Sequence, residues 1–274
     1  MNWRYLQGHL AIAGAWGCVG VALLPLVHMF AIVVTNGERA LSWTVFTTVT
    51  SGIAGGLANA IAGTFMLVGL GAAIVVPLGV MGGIYASEVR EGRTVGAARL
   101  AADVLAGVPS IVIGYFGFVT MVTWLGWGFS LLAGSVALAV IMLPYVFRAT
   151  DLAVQQVSDD LREASLALGA TRIATVRGVV LRAATPGIVT GWLLALGIAV
   201  GETAPLIYTA GWSNYMPALK LTHAPIGYLT YVVWTFINEP FASANALAYA
   251  AGLLLMLLVL TLNVTARWAI ARRA

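Results

Sequence analysis

The sequence predicts an all-α integral membrane protein, and three observations carry that prediction. Of the 274 residues, 61% are apolar and only 9% are charged, against roughly 25% charged in a soluble domain, so a fully water-facing surface cannot be assembled. The apolar residues gather into uncharged runs near the ~20 residues that one helix needs to cross a bilayer. The basic residues then fall almost wholly on one side when those runs alternate across it. Six such spans with their connections use up most of the chain, and no length remains for a separate soluble catalytic domain.

The first run, 10–34, is too long for the ~7–15-residue core of a cleaved signal and is read as an uncleaved span. A second lies at 61–85. The uncharged stretch after Asp103 holds two more, 104–127 and 129–147, divided at the glycine- and tryptophan-rich turn around Gly126 and Gly128. The fifth, 186–210, is interrupted only by Glu202, and the sixth, 242–266, is clean. Starting from a cytoplasmic N-terminus, 12 of the 14 basic residues lie inside, among them Arg4, Arg148, Arg272 and Arg273. Only Arg39 and Lys220 fall outside, so both termini are expected in the cytoplasm. Trp43, Trp127 and Trp212 are expected near the outer interface and Trp3 and Trp268 near the inner one. Glycines throughout the spans, Gly63, Gly114 and Gly117 among them, fit close helix packing. Pro25, Pro77, Pro109 and Pro205 mark kinks.

The most polar part of the chain is the predicted cytoplasmic segment 148–182. Ser158 is placed to cap a helix whose first turn carries Asp159 and Asp160 at its positive end, with Leu161, Ala164 and Leu168 as its apolar face. Gly169 ends that helix and Thr171 is placed to cap a second short one. Two short helices around a glycine suit either a docking element or an amphipathic pair resting on the bilayer. Tethering to spans at both ends excludes a reader of nucleic acid.

Several chemistries are absent. Cys18 is the only cysteine, His9, His28 and His223 are scattered, and no metal site is expected. The single lysine, Lys220, follows no glycine-rich loop, so the chain carries no nucleotide site and is not expected to be an enzyme. The segment 211–240, aromatic and punctuated by proline, reads as a re-entrant or interfacial element.

In segment 148–182, Glu163-Ala-Ser165 followed by Gly169 and then Val179-Val-Leu181 resembles the EAA loop of ABC importer permeases. The likeness extends over nearly the whole chain. The blocks at 103–112, 144–151, 161–171 and 201–206 are similar to those of PstA-type permease subunits of high-affinity phosphate importers. Arg182 stands where the loop motif has proline, and Ile198 where family members often carry arginine. The resemblance implies a type I ABC importer permease fold and transport of inorganic phosphate by ATP-driven alternating access. Glu163, Ala164, Ser165 and Gly169 would lie at the ATPase contact. It further implies a PstC-type second permease, a PstB-type ATPase dimer carrying ATP and Mg, and a PstS-type binding protein, periplasmic or lipid-anchored, at the bacterial inner membrane. A permease for sulfate or molybdate and a gradient-driven carrier are the alternatives.

Glu202 is the residue that most demands a functional account, because a carboxylate within a span costs at least a few kcal/mol unless it meets a partner or water. It either faces a translocation path, where it accepts a hydrogen bond from a protonated phosphate oxygen, or is a neutral packing group. Thr203 and Tyr208 offer hydroxyls beside it. Arg148, whose guanidinium suits an oxyanion, is a candidate for the inner end of the path or an ordinary anchor, with Asp103 in reach as an ion-pair partner.

Overall fold

The computed structural model describes residues 3–271. Arg272 and Arg273 lie outside the described residues, as do the side chains of Trp3 and Arg4. Helix α1 (Trp3–Ala40) is followed by the short α2 (Trp43–Thr47) and a two-residue hairpin, β1 (Thr50–Ser51) against β2 (Ala54–Gly55), antiparallel with Thr50 opposite Gly55. Then come α3 (Ala58–Val89), α4 (Arg93–Gly107) and α5 (Ser110–Gly117), the last continued by a π-helical stretch, Phe118–Trp124. Helix α6 (Leu131–Gln155) leads to α7 (Asp159–Ala167) and α8 (Arg172–Thr175). A π turn, Val176–Val180, joins α8 without interruption to α9 (Leu181–Gly201). The chain closes with α10 (Ala204–Thr209), α11 (Leu229–Phe236) and α12 (Ala242–Ala271).

Among the described residues five helices are long and apolar enough to cross a membrane, and the bent pair α4–α5, counted as one span, brings the number to six. The bend is the main departure from the spans read in the sequence. The expected span 104–127 is divided at Val108-Pro109, where the axes turn by 99°. Proline lacks the N–H that would continue the ladder and biases the preceding residue towards extended backbone. Val108 is accordingly extended (φ −75°, ψ 126°). Hydropathy does not register such a break, because both arms are apolar. The second helix of the polar segment also differs: it is not short but runs from Arg172 through to Gly201.

Helix α6 is the axis of the molecule and the most buried of the spans. The face of α3 that packs against it is lined with glycine. A Cβ on Gly79 would come within 2.8 Å of Val146, and one on Gly83 within 2.6 Å of Thr150. Leu67, Val75, Leu138, Met142, Ala199 and Leu206 fill the layer between α3, α6, α9 and α10. A second layer, of Val45, Leu57, Phe236, Leu247 and Ala251, lies where α2, α11 and α12 meet.

Most hydroxyls and amides inside these layers are satisfied locally, as a hydrocarbon medium demands, although the buried Tyr228 hydroxyl has no partner among the described residues. Thr64, Thr150 and Thr209 each donate to the carbonyl four residues back, at 2.7–2.8 Å. Buried Asn59 accepts from the Thr50 N–H at 3.0 Å and donates to the Ser213 carbonyl at 2.9 Å, pinning the hairpin and the loop after α10 to the start of α3. Segment 211–240 is held the same way, with Leu229 N–H donating to Thr64 Oγ1 at 2.9 Å. Trp212 stacks on Tyr231 with ring centroids 4.4 Å apart, a packed position, whereas Trp43 is exposed.

Candidate translocation path and coupling segment

The polar segment forms a helical hairpin that projects from the bundle. Ser158 has the extended backbone of a cap, but its hydroxyl makes no cap bond, which corrects the role expected from sequence. Thr171 does cap, its Oγ1 accepting from Ala174 N–H at 3.2 Å. Gly169 sits between the helices at φ +85°, a conformation that glycine alone adopts without cost. Its N–H donates to the Leu166 carbonyl at 2.9 Å. Ser165 and Thr175 join the two arms through their hydroxyls at 2.9 Å.

The apolar side chains of this hairpin face outward. Leu168 is 90% exposed and Ile173 80% exposed, while Glu163 and Ala164 lie exposed beside them. An apolar tip with nothing of its own chain over it suits a partner surface.

At the root of the hairpin lies a charged cluster. Asp151, on α6, is 1% exposed and takes a forked pair of hydrogen bonds from Arg99 on α4, at 2.9 and 3.0 Å. Gln155 adds a third at 2.6 Å. Arg148 lies 4.0 Å from the same carboxylate and pairs with Asp103, its Nε donating to Oδ1 at 2.9 Å. The Asp103–Arg148 pair is the one expected from sequence. The Arg99–Asp151 pair is not.

Glu202 does not sit within a continuous span. Helix α9 ends at Gly201, Glu202 is extended (φ −71°, ψ 132°), and the chain restarts as α10 with Pro205 in its first turn. The Thr203 carbonyl accepts from Leu206 and Ile207 N–H, and Thr230 Oγ1 donates to the Glu202 carbonyl at 2.8 Å. The half-buried Glu202 carboxyl faces the Ser110 hydroxyl, at the break between α4 and α5. Two interrupted helices therefore meet. A Cβ on Gly114 would stand 2.6 Å from Pro205 Cα and one on Gly117 2.9 Å from Thr209, and Tyr115 meets Tyr208 edge to face at 6.2 Å. Among the described residues Glu202 has no ion-pair partner, and no hydrogen bond holds the Thr203 or Tyr208 hydroxyl. Ile198, one turn earlier on α9, supplies no cation.

Of the residues singled out by sequence, Glu202, Thr203 and Tyr208 are thus brought to one break. Glu163, Ala164, Ser165 and Gly169 share the hairpin, and Arg148 lies apart in the charged cluster. Ser110 is the site residue that sequence reasoning missed. Its position directly after Pro109 was the available signal. No group of three or more metal-binding side chains occurs among the described residues.

Five spans and a bent pair, with irregular backbone where the two interrupted helices meet and an exposed hairpin at one end, fit a membrane permease subunit. Residues 79–274 match the family model for the binding-protein-dependent transport system inner membrane component. The chain is 46% identical over 246 residues to the phosphate transport system permease protein PstA 2 of Mycobacterium tuberculosis, covering 89% of this chain and 81% of that protein. It is 37% identical over 279 residues to PstA of Yersinia pestis, covering 99% and 92%. Among solved structures, its fold resembles a chain of the inward-facing MetNI methionine ABC transporter, with TM-score 0.66, 18% identity and coverage of 80% of this chain and 97% of that one. It likewise resembles a chain of a bacterial alginate ABC transporter, with TM-score 0.66, 14% identity and coverage of 96% and 95%. The chain belongs to the binding-protein-dependent inner-membrane permeases, and within them to the PstA phosphate transport system permeases.

Proposed function

We propose that this chain is one permease subunit of an ABC importer that carries inorganic phosphate into the cytoplasm. The observation that carries the mechanism is a continuous helical rod, Arg172–Gly201, with the exposed hairpin at its start and Glu202 at its end. A stiff helix transmits displacement along its length, so movement of the hairpin arrives at the break where Glu202 faces Ser110. The hairpin docks on a cytoplasmic ATPase through Glu163, Ala164, Ser165 and Gly169, with Leu168 and Ile173 entering an apolar groove there. ATP and Mg bind that ATPase dimer, a second PstC-type permease completes the path, and a PstS-type protein delivers phosphate from outside. Both termini then lie in the cytoplasm.

In the path, Glu202 accepts a hydrogen bond from a protonated phosphate oxygen, and the hydroxyls of Ser110, Thr203 and Tyr208 donate to the others. A carboxylate rejects a fully ionised oxyanion and favours one that still carries a proton. Nearer the hairpin, Arg148 offers two parallel hydrogen bonds to an oxyanion in exchange for its pair with Asp103.

The test is ATP-dependent uptake of labelled phosphate in vesicles containing the partner proteins, with and without this chain. Uptake that requires the chain and resists excess sulfate is expected. Uptake of sulfate instead would keep the class and replace the substrate, and uptake without ATP would point to a gradient-driven carrier.

Two substitutions sharpen this reading. Glu202→Gln lowers phosphate uptake about 10–100-fold, the worth of one charge-assisted hydrogen bond, while the protein still inserts. Unchanged uptake would make Glu202 a packing residue. Gly169→Trp meets no atom of its own chain, since its Cβ points into open space. It strains the backbone by roughly 1–2 kcal/mol and obstructs the docking face. Transport and ATPase stimulation are expected to be lost with insertion intact, and survival of both would refute docking at this turn.

A further inference from the structure

Arg162 lies on the projecting hairpin, yet its own side chain is only 12% exposed. Its guanidinium reaches across to two membrane helices at once. Nη2 donates to Glu88 Oε1, on the last turn of α3, at 3.1 Å and to the Val154 carbonyl, at the end of α6, at 2.9 Å. Nη1 donates to the Val157 carbonyl, just past α6, and to Asp159 Oδ1 at 3.3 Å. The end of α6 is where carbonyls lack intrahelical partners and the helix is negative, so a cation there satisfies both needs.

Asp159 is gripped a second time, by Arg90 immediately after α3. That guanidinium holds the Asp159 carboxyl below the usual carboxylate range. A lowered carboxyl keeps its charge at neutral pH and yields the pair only as the pH falls through its own, lower value. Apart from these bonds, α7 packs mainly against α8 and the π turn. Side-chain charges, not an apolar interface, are therefore what fasten α7 to α3 and α6.

We infer that Arg162 is a positioning residue of the transport cycle, the joint that delivers displacement of α7 to the inner ends of α3 and α6. The inference rests on the docking of the hairpin proposed above. Two routes leave the hairpin. One runs through the rod α8–α9 to Glu202, and the other through Arg162 to the glycine-lined pair α3–α6. Driving both together makes the bundle turn as a body. With only the first engaged, α9 slides past α6 and the ATPase cycles without moving the path.

The test uses the full complex with its partner permease, ATPase and binding protein in proteoliposomes. Arg162→Lys keeps the charge without the fork, and Arg162→Gln removes the charge. Phosphate moved per ATP hydrolysed is expected to fall modestly for Lys and at least about tenfold for Gln, with the ATPase still co-purifying and still turning over. Spin labels at Glu91 and Asp160, both exposed, read the joint directly. Their separation stays constant through the ATP cycle in the otherwise unaltered chain and shifts or broadens in the Gln variant. A Gln variant that couples normally, or that keeps the separation constant, overturns the inference. So does loss of the ATPase from the purified complex, which would make Arg162 part of the docking contact. If the unaltered complex moves no phosphate while the label result holds, the substrate reading fails and the joint stands.

Discussion

Asp151→Ala is expected to lower the stability of the folded permease by about 3–5 kcal/mol, the cost of stripping one partner from a buried ion pair. Asp151 is almost wholly buried and takes both arms of the Arg99 fork, and that same arginine donates to the Ala86 carbonyl near the end of α3. Removing the carboxylate leaves Arg99 charged and unpaired among α3, α4 and α6. Arg148 loses its second anion and keeps only Asp103. Thermal unfolding in detergent, followed by size-exclusion chromatography, measures the effect. Asp151→Asn preserves the shape and is expected to lose nearly as much, because a neutral amide does not balance Arg99. Asp151→Leu with Arg99→Leu is expected to recover much of the loss, since a buried pair is often replaceable by apolar groups of similar size. If the alanine variant melted with the unaltered protein, the cluster would be incidental to assembly.

The second large effect is expected at the crossing of the two interrupted helices. In Gly114→Val the new Cβ falls 2.6 Å from Pro205 Cα and 3.2 Å from the Ala204 carbonyl oxygen. Both contacts are with backbone, so no side chain can move aside. Overpacking of this kind costs roughly 1–3 kcal/mol, and it is relieved only by parting α5 from α10. Parting them separates Ser110 from Glu202. Phosphate uptake is therefore expected to drop by at least about tenfold while the ATPase remains bound. Gly107→Val, at the end of α4 where a Cβ meets nothing within 4 Å, is the matched control and is expected to transport normally. Equal uptake by the two variants would remove the crossing from the path.

What the sequence made legible and what it concealed have separate physical causes. The apolar runs report membrane residence faithfully, because lipid leaves no alternative environment for them. The turn at Gly169 and the cap at Thr171 were readable because each depends on local backbone chemistry. Pro109 was read as a kink, but the full 99° break at Val108-Pro109 was masked, since hydropathy averages over a window and both arms are apolar. Glu202 stood out as an anomaly but was placed inside a helix, because the extended backbone there is set by Pro205 and by packing on α5. The second hairpin helix was taken to be short. Its valines gave no sign that a π turn, Val176–Val180, would carry it into the membrane unbroken. Ser158 has the right residue type for a cap but a hydroxyl that makes no cap bond, and only coordinates reveal that. The pairs Arg99–Asp151 and Arg162–Glu88 join residues far apart in the chain, beyond the reach of any spacing argument.

The first helix carries a consequence for how the chain is made. Helix α1 leaves most of its surface uncovered by this chain and packs chiefly against α12, where Gly37 lies close against Leu253. A ribosome delivers α1 about 200 residues before α12. Helix α1 must therefore wait in the bilayer, unaccompanied by its partner, until α12 has been synthesised. A truncation stopping before Ala242 would leave α1 inserted yet unanchored, a natural point for membrane proteases to recognise chains that lack α12.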